Sequence, residues 1–380
     1  TAVTDGLTVA GNVSVDGGTI KLDGNYPVGT ANVALGDAAL DDGSLSGGYN
    51  TAVGNGALSS NTTGASNNAF GSSALNVNTT GSSNAGFGNG SLGSNISGSF
   101  NTAMGFGSLS SNTTADNNTA VGYQSLYANT TGYDNTAVGA GALDANTTAY
   151  NNSAFGRNAL GVNTTGSNNT ALGHATLDAS TTGTYNTAVG SFALSSSTTA
   201  LFNTAVGYQS LYANTTGTHN VAIGKAALYN NTGSYNTSVG YAAAESNTSG
   251  EGIVAFGINA LSLNTTGNYN VGLGRDALRS NTTASNNTAV GYQAGYANTT
   301  GTNNTSTGAG ALQSTTTGSY NTGMGRSALT ANTTGSYNTA IGRNSLGVNP
   351  STGAGSRKKY NTAIGAFSGT NTKGSKNVFI

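Results

Sequence analysis

The chain has 380 residues, of which 7% are charged and 59 are glycine, with a formal net charge of −1 and neither cysteine nor tryptophan. That composition excludes a disulfide framework and a cysteine-based metal site. No apolar run nears the roughly 20 residues needed to span a bilayer, no basic-then-apolar signal segment opens the chain, and the expectation is a soluble, non-membrane protein. Length alone suggests two or three domains, but an internal repeat overrides that prior.

The first thirty residues stand apart. Gly6 to Asn25 gives three short alternating segments, Leu7/Val9, Val13/Val15 and Ile20/Leu22, separated by glycine-containing turns. They read as a β lead-in over residues 1–31 that joins the rest to an upstream part.

From Asn32 to Ile380 nearly everything is a variation on Asn118 to Tyr133, NTAVGYQSLYANTTGY. The glycine closing NTAVG recurs from Gly36 and Gly54 to Gly342 and Gly365, and sixteen of its nineteen intervals are 17 residues. The exceptions are 18 at the start, 16 before Gly240 and 23 before Gly365, and the copies re-phase after each. A short fixed period means a stack of coils, each touching mainly its neighbours.

Phased apolar residues argue against disorder in a chain this rich in Asn, Thr, Ser and Gly. Leucine stands four residues after the ruler glycine in seventeen of twenty copies, Ala244, Gly295 and Gly369 being the exceptions. The residue before the glycine is apolar in nineteen of twenty, Thr307 being the exception. NTAVG alternates and carries β-branched residues, which predicts a strand of about four or five residues, while NTTG and the glycines are turn chemistry. The expected fold is all-β: a parallel β-solenoid of about 20 17-residue coils over residues 32–380, each with two short strands and two turns, with an insertion loop at 350–359. At a strand spacing of about 4.8 Å, twenty coils make a shaft of roughly 95 Å.

In such a stack like residues lie on like. Val53, Leu58 and Asn61, then Val121, Leu126 and Asn129, then Val206, Leu211 and Asn214 mark the expected structural ladders. The asparagines at the NTT corner are placed to pass amide hydrogen bonds from coil to coil. One Leu and one Val-type residue per coil is a thin core, which predicts that the second apolar column is buried between chains in a homotrimer, with a monomeric solenoid as the alternative.

Charge is unevenly spread. Nine acids and one base lie between Thr1 and Asp144, whereas eight bases and no acid follow Asp276. The basic end coincides with the insertion, and Arg357, Lys358, Lys359 and Tyr360 are the candidate receptor contacts, for instance with anionic cell-surface polysaccharide. Tyrosines that precede the strand, such as Tyr185, Tyr235, Tyr320 and Tyr337, either line a sugar-binding groove or cover the ladder edge.

Motifs for chemistry are not found. His174 and His219 fall at different repeat positions, no pair of acids recurs in phase, and no Gly-Lys-Ser/Thr follows a glycine-rich loop. The repeats supply no basic stripe for nucleic acid. The expectation is no catalytic residue, no cofactor, no metal and no nucleic-acid partner.

The repeated NTAVGxxAL with its NTTG spacer resembles the repeats of phage tail-fibre proteins, whose chains often end in a self-cleaving chaperone domain, and is similar to the head repeats of trimeric autotransporter adhesins. The resemblance covers Asn32 to Ile380. It implies a trimeric parallel β-roll on a virion or cell surface, holding a binding end away from it and joined through its ends to other fibre or baseplate proteins. A bacterial adhesin stalk is the alternative, and an ice- or surface-binding solenoid, suggested by the Thr pairs of NTT, is a third.

Overall fold

The computed structural model describes residues 30–347, 359–370 and 374–380; the lead-in lies outside them apart from its last two residues. Among the described residues there are twenty-one β-strands, from β1 (Val33–Leu35) and β2 (Thr51–Val53) to β20 (Thr362–Ile364) and β21 (Val378–Phe379), and no helix. Each strand pairs in parallel with the next in the sequence, like on like, as in Ala52↔Ala69 and Thr119↔Thr136. The chain is a β-solenoid of about 20 turns. The 16-residue interval keeps register at Val221↔Thr237, and the 23-residue one at Thr339↔Thr362.

Each coil carries one strand, of three residues except for the two of β21, against the two short strands expected. The reason is backbone conformation. Three non-strand positions of most coils have φ near +55°, as at Gln124, Leu126 and Asp134, and this left-handed region interrupts extended structure. Backbone bonding between coils nevertheless continues through the turns. Leu58 N donates to Ala74 O at 3.0 Å, Ser60 N to Asn76 O at 3.1 Å and Thr62 N to Thr79 O at 2.9 Å.

The ruler glycine is fixed by two constraints. Gly54 has φ +134°, and a Cβ there would sit 2.6 Å from the carbonyl of Gly71 directly above it. The leucine four residues on obeys the opposite logic. Leu58, Leu126 and Leu211 have φ of 52°, 50° and 50° and are fully buried. A left-handed residue costs about 1–2 kcal/mol when it is not glycine, and a β-branched one is worse. The column therefore holds Leu, Ala or Gly and never Val or Ile, while the β-branched residues collect on the strand, where φ is extended.

The interior is built from the middle strand residue (Ala52, Ala120), the small residue before leucine (Ala57, Ser125), the leucine and two asparagines, all fully buried. The second apolar column, including Val53, Val121 and Val206, points outward at the third strand position and is only partly covered. Gly295 interrupts the leucine column. The apolar core accordingly falls into one segment ending at Ala294 and another starting at Leu312, with a cavity of about 10 Å³ between Leu278 and Leu312.

Candidate functional site

Two asparagine ladders run through the coil interior. At the NTT corner Asn78 Nδ2 donates to Asn61 Oδ1 at 2.8 Å and to Gly81 O at 3.0 Å. The same pair of bonds repeats through Asn129, which donates to Asn112 Oδ1 at 3.0 Å and Gly132 O at 2.8 Å. It stops at Asn163, because Ser180 and Ser197 occupy the next two coils; Asn163 Oδ1, Ser180 Oγ, Ser197 Oγ and Asn214 Oδ1 are buried without a partner. Asn214 is thus not linked to the ladder below it and keeps only its bond to Gly217 O, at 2.9 Å.

The second ladder was missed in the sequence, although its signal was plain: asparagine opens NTAVG in twenty of twenty-one coils, Ile253 being the exception. Asn118 Oδ1 accepts from Asn135 N at 3.0 Å, and Asn118 Nδ2 donates to Gly132 O at 2.8 Å. One side chain thereby joins its coil to the next and closes its own coil across the interior, satisfying backbone groups that the turns leave unpaired.

Outside, columns of like side chains cover the coil. The first threonine of NTT donates its hydroxyl to the carbonyl above, Thr62 Oγ1 to Thr79 O at 2.9 Å and Thr130 Oγ1 to Thr147 O at 3.0 Å. Where successive coils carry an aromatic before the strand, the rings stack. Tyr185, Phe202, His219 and Tyr235 form one four-ring pile with centroids 4.9–5.1 Å apart. Tyr320, Tyr337 and Tyr360 form another at 4.9 Å. Rings stacked this way cover one another's faces and present edges to solvent, so they cover the ladder edge; sugar stacking needs an open face.

Of the candidate receptor contacts, Arg357 and Lys358 lie outside the described residues. Lys359 is half-buried and forms a bridge with Ser336, its backbone N donating to Ser375 Oγ at 3.2 Å. Tyr360 is exposed and caps the three-ring pile.

Charges prove to be sorted by column, and two expectations are corrected. Arg157, Lys225, Arg275, Arg326 and Arg343 all directly follow a ruler glycine, so the repeats do supply a basic stripe. Asp41, Asp144, Asp178 and Glu245 all stand five residues after one, so acids do recur in phase. Asp144 and Asp178 flank Gly161 and line an open notch of about 210 Å³. Burial pushes both carboxyls above their ordinary range, and the charge of His174 partly offsets this at Asp178. Among the described residues no group of three or more His, Asp or Glu side chains is placed to hold a metal ion, and no helix is long and apolar enough to cross a membrane.

This arrangement defines a repeat protein of the parallel β-solenoid class, stitched internally by asparagine and externally by threonine and aromatic ladders. The chain matches no family model and no curated protein.

Proposed function

We propose that the chain is the structural shaft of an extracellular attachment fibre, most simply a phage tail fibre, in which three copies bundle along their sheet faces and position a host-binding end. The observation that carries this reading is the unbroken parallel register of twenty-one strands with an apolar column left outside that only Thr307 interrupts. A stack of this kind is stiff along its axis. Its outer sheet face is about 95 Å long and three residues, about 10 Å, wide, on the order of the 800 Å² per partner that a standard interface buries. The basic end, with Arg357, Lys358 and Lys359, is where the fibre meets anionic host-surface polysaccharide, and the chain ends join other fibre or baseplate proteins.

A bacterial adhesin stalk would use the same architecture and differ in its flanking segments. The ice-binding alternative is weakened by the NTT threonines, whose first hydroxyl is spent on the next coil. The outer strand face is also uneven, since Phe70, Met104 and Phe256 interrupt its valines.

Light scattering and electron microscopy test the proposal. The expected result is three times the chain mass of 37.2 kDa and a rod of about 95 Å. A monomer at micromolar concentration overturns the trimer, and a compact particle overturns the shaft.

A further inference from the structure

The basic column belongs to no ladder, and packing within the coil does not require it. From Arg157 to the last coil the position after the ruler glycine holds no acid. Tyr208, Tyr241 and Tyr292 stand in the same column between its cations, about half exposed. We propose that this column is a binding track for a linear anionic polysaccharide lying along the solenoid axis. The proposal takes its class of ligand from the polysaccharide contact suggested above, but moves the site from the chain end to the shaft.

Three features support it. First, the cations are available. Arg275 is held by Asp276 at 3.3 Å, but among the described residues Lys225, Arg326 and Arg343 have no carboxylate partner. Lys225 instead rests over the Tyr241 ring at 5.6 Å and Arg343 over the Phe367 ring at 5.6 Å. An aromatic support of this kind fixes the side chain while leaving its N–H groups free for an anion.

Second, the spacing suits a sparse polyanion. Lys225 to Arg275 and Arg275 to Arg326 are each three coils, about 14 Å at the strand spacing. Duplex DNA carries a charge every 1.7 Å or so; a polysaccharide with one acidic group per oligosaccharide repeat is a closer match. Third, the aromatic geometry disfavours bases. Single-stranded nucleic acid binds by stacking on open ring faces, and Lys225 already occupies a face of Tyr241. The tyrosine hydroxyls and ring edges are left to meet sugar hydroxyls.

The test uses the full chain with heparin as a sulfated probe, polygalacturonate as a carboxylate probe, neutral dextran and single-stranded oligothymidine. K225A/R326A/R343A is compared with K21A/K373A/K376A, which removes the same charge towards the chain ends, outside both the column and the residues assigned above to receptor contact. Circular dichroism and solution mass establish that both variants remain folded and associated like the parent. The expected result is binding of both acidic polysaccharides but not dextran, about tenfold weaker in the column variant and with a shallower salt dependence, and little changed in the end variant. Equal loss in both variants, no polyanion binding at low salt, or oligothymidine binding as tightly as the polysaccharides overturns the track. A monomer that still binds through the column sinks the fibre reading alone; a trimeric rod that does not bind sinks this proposal alone.

Discussion

Repairing the broken asparagine ladder is the sharpest test of what holds the coils together. In S180N/S197N the new amide at 180 would donate to Asn163 Oδ1, the one at 197 to the new carbonyl below it, and Asn214 Nδ2 to the carbonyl at 197. Three links would form, removing three of the four buried polar atoms that now lack partners and leaving only Asn214 Oδ1. At about 0.5–1.5 kcal/mol net per hydrogen bond, the repair is worth about 1.5–4.5 kcal/mol, and the corresponding position in intact coils shows that asparagine fits. Because stability in a stacked array is a sum of local and nearest-neighbour terms, the gain should be local. Amide hydrogen exchange would show slower exchange across residues 163–214 and little change beyond two coils on either side. The mirror variant N112S, which introduces the natural break into an intact stretch, should lose protection by a similar amount. Unchanged or faster exchange in S180N/S197N would refute the claim that the amide ladder contributes net stability.

Other consequences follow from the same geometry. L126M should cost less than about 1.5 kcal/mol, whereas L126I, of equal volume but β-branched at φ 50°, should add about 1–3 kcal/mol of backbone strain; denaturant melts of the two variants separate conformation from burial. G295L should stabilise by up to about 2 kcal/mol, the roughly 1.5–3 kcal/mol of burying a leucine being partly offset by the cost of about 1–2 kcal/mol for a non-glycine residue in the left-handed region. The φ of +60° is close to the 48–53° of the column's leucines, and the new Cβ meets the flexible end of Leu278 at 2.9 Å and the Ser306 hydroxyl at 3.3 Å. Thermal melting with and without the substitution would check whether joining the two core segments raises the midpoint. Asp144 and Asp178 have folded-state carboxyls raised by burial. Their stabilising contribution is therefore fully present below about pH 4 and lost as pH rises through the raised values. Hydrogen exchange of coils 139–190 should slow between neutral pH and pH 4 after correction for intrinsic rates, and D144N/D178N should flatten that dependence.

What was legible in the sequence was whatever depends on period alone. The ruler glycine, the leucine column and the apolar column before the glycine fix a 17-residue parallel stack, because a side chain repeating in phase must meet its own kind in the next coil. What was not legible depended on backbone angles that composition does not report. The stretch from Gly122 to Asn129 carries Leu126 and reads as strand by its burial, yet the left-handed φ at Gln124 and Leu126 folds it into consecutive turns. The absence of β-branched residues from the leucine column was the available clue, since an extended strand would have welcomed valine there.

The asparagine of NTAVG was hidden for a related reason. It looks like a strand's polar neighbour, but Asn118 turns inward to bond Gly132 across its own coil, a contact fixed by the coil's closure and not by nearest-neighbour spacing. The charge columns were legible and needed only a different alignment. Counted along the chain, Arg157, Lys225, Arg275, Arg326 and Arg343 are scattered; counted from each ruler glycine, all five take the same position. In a solenoid the relevant neighbour of a residue lies one period away. Charge, like apolarity, has to be read down the stack before it says anything about a surface, and on that reading the cations gather beside the apolar strand column while acids such as Asp144 and Asp178 are kept to another.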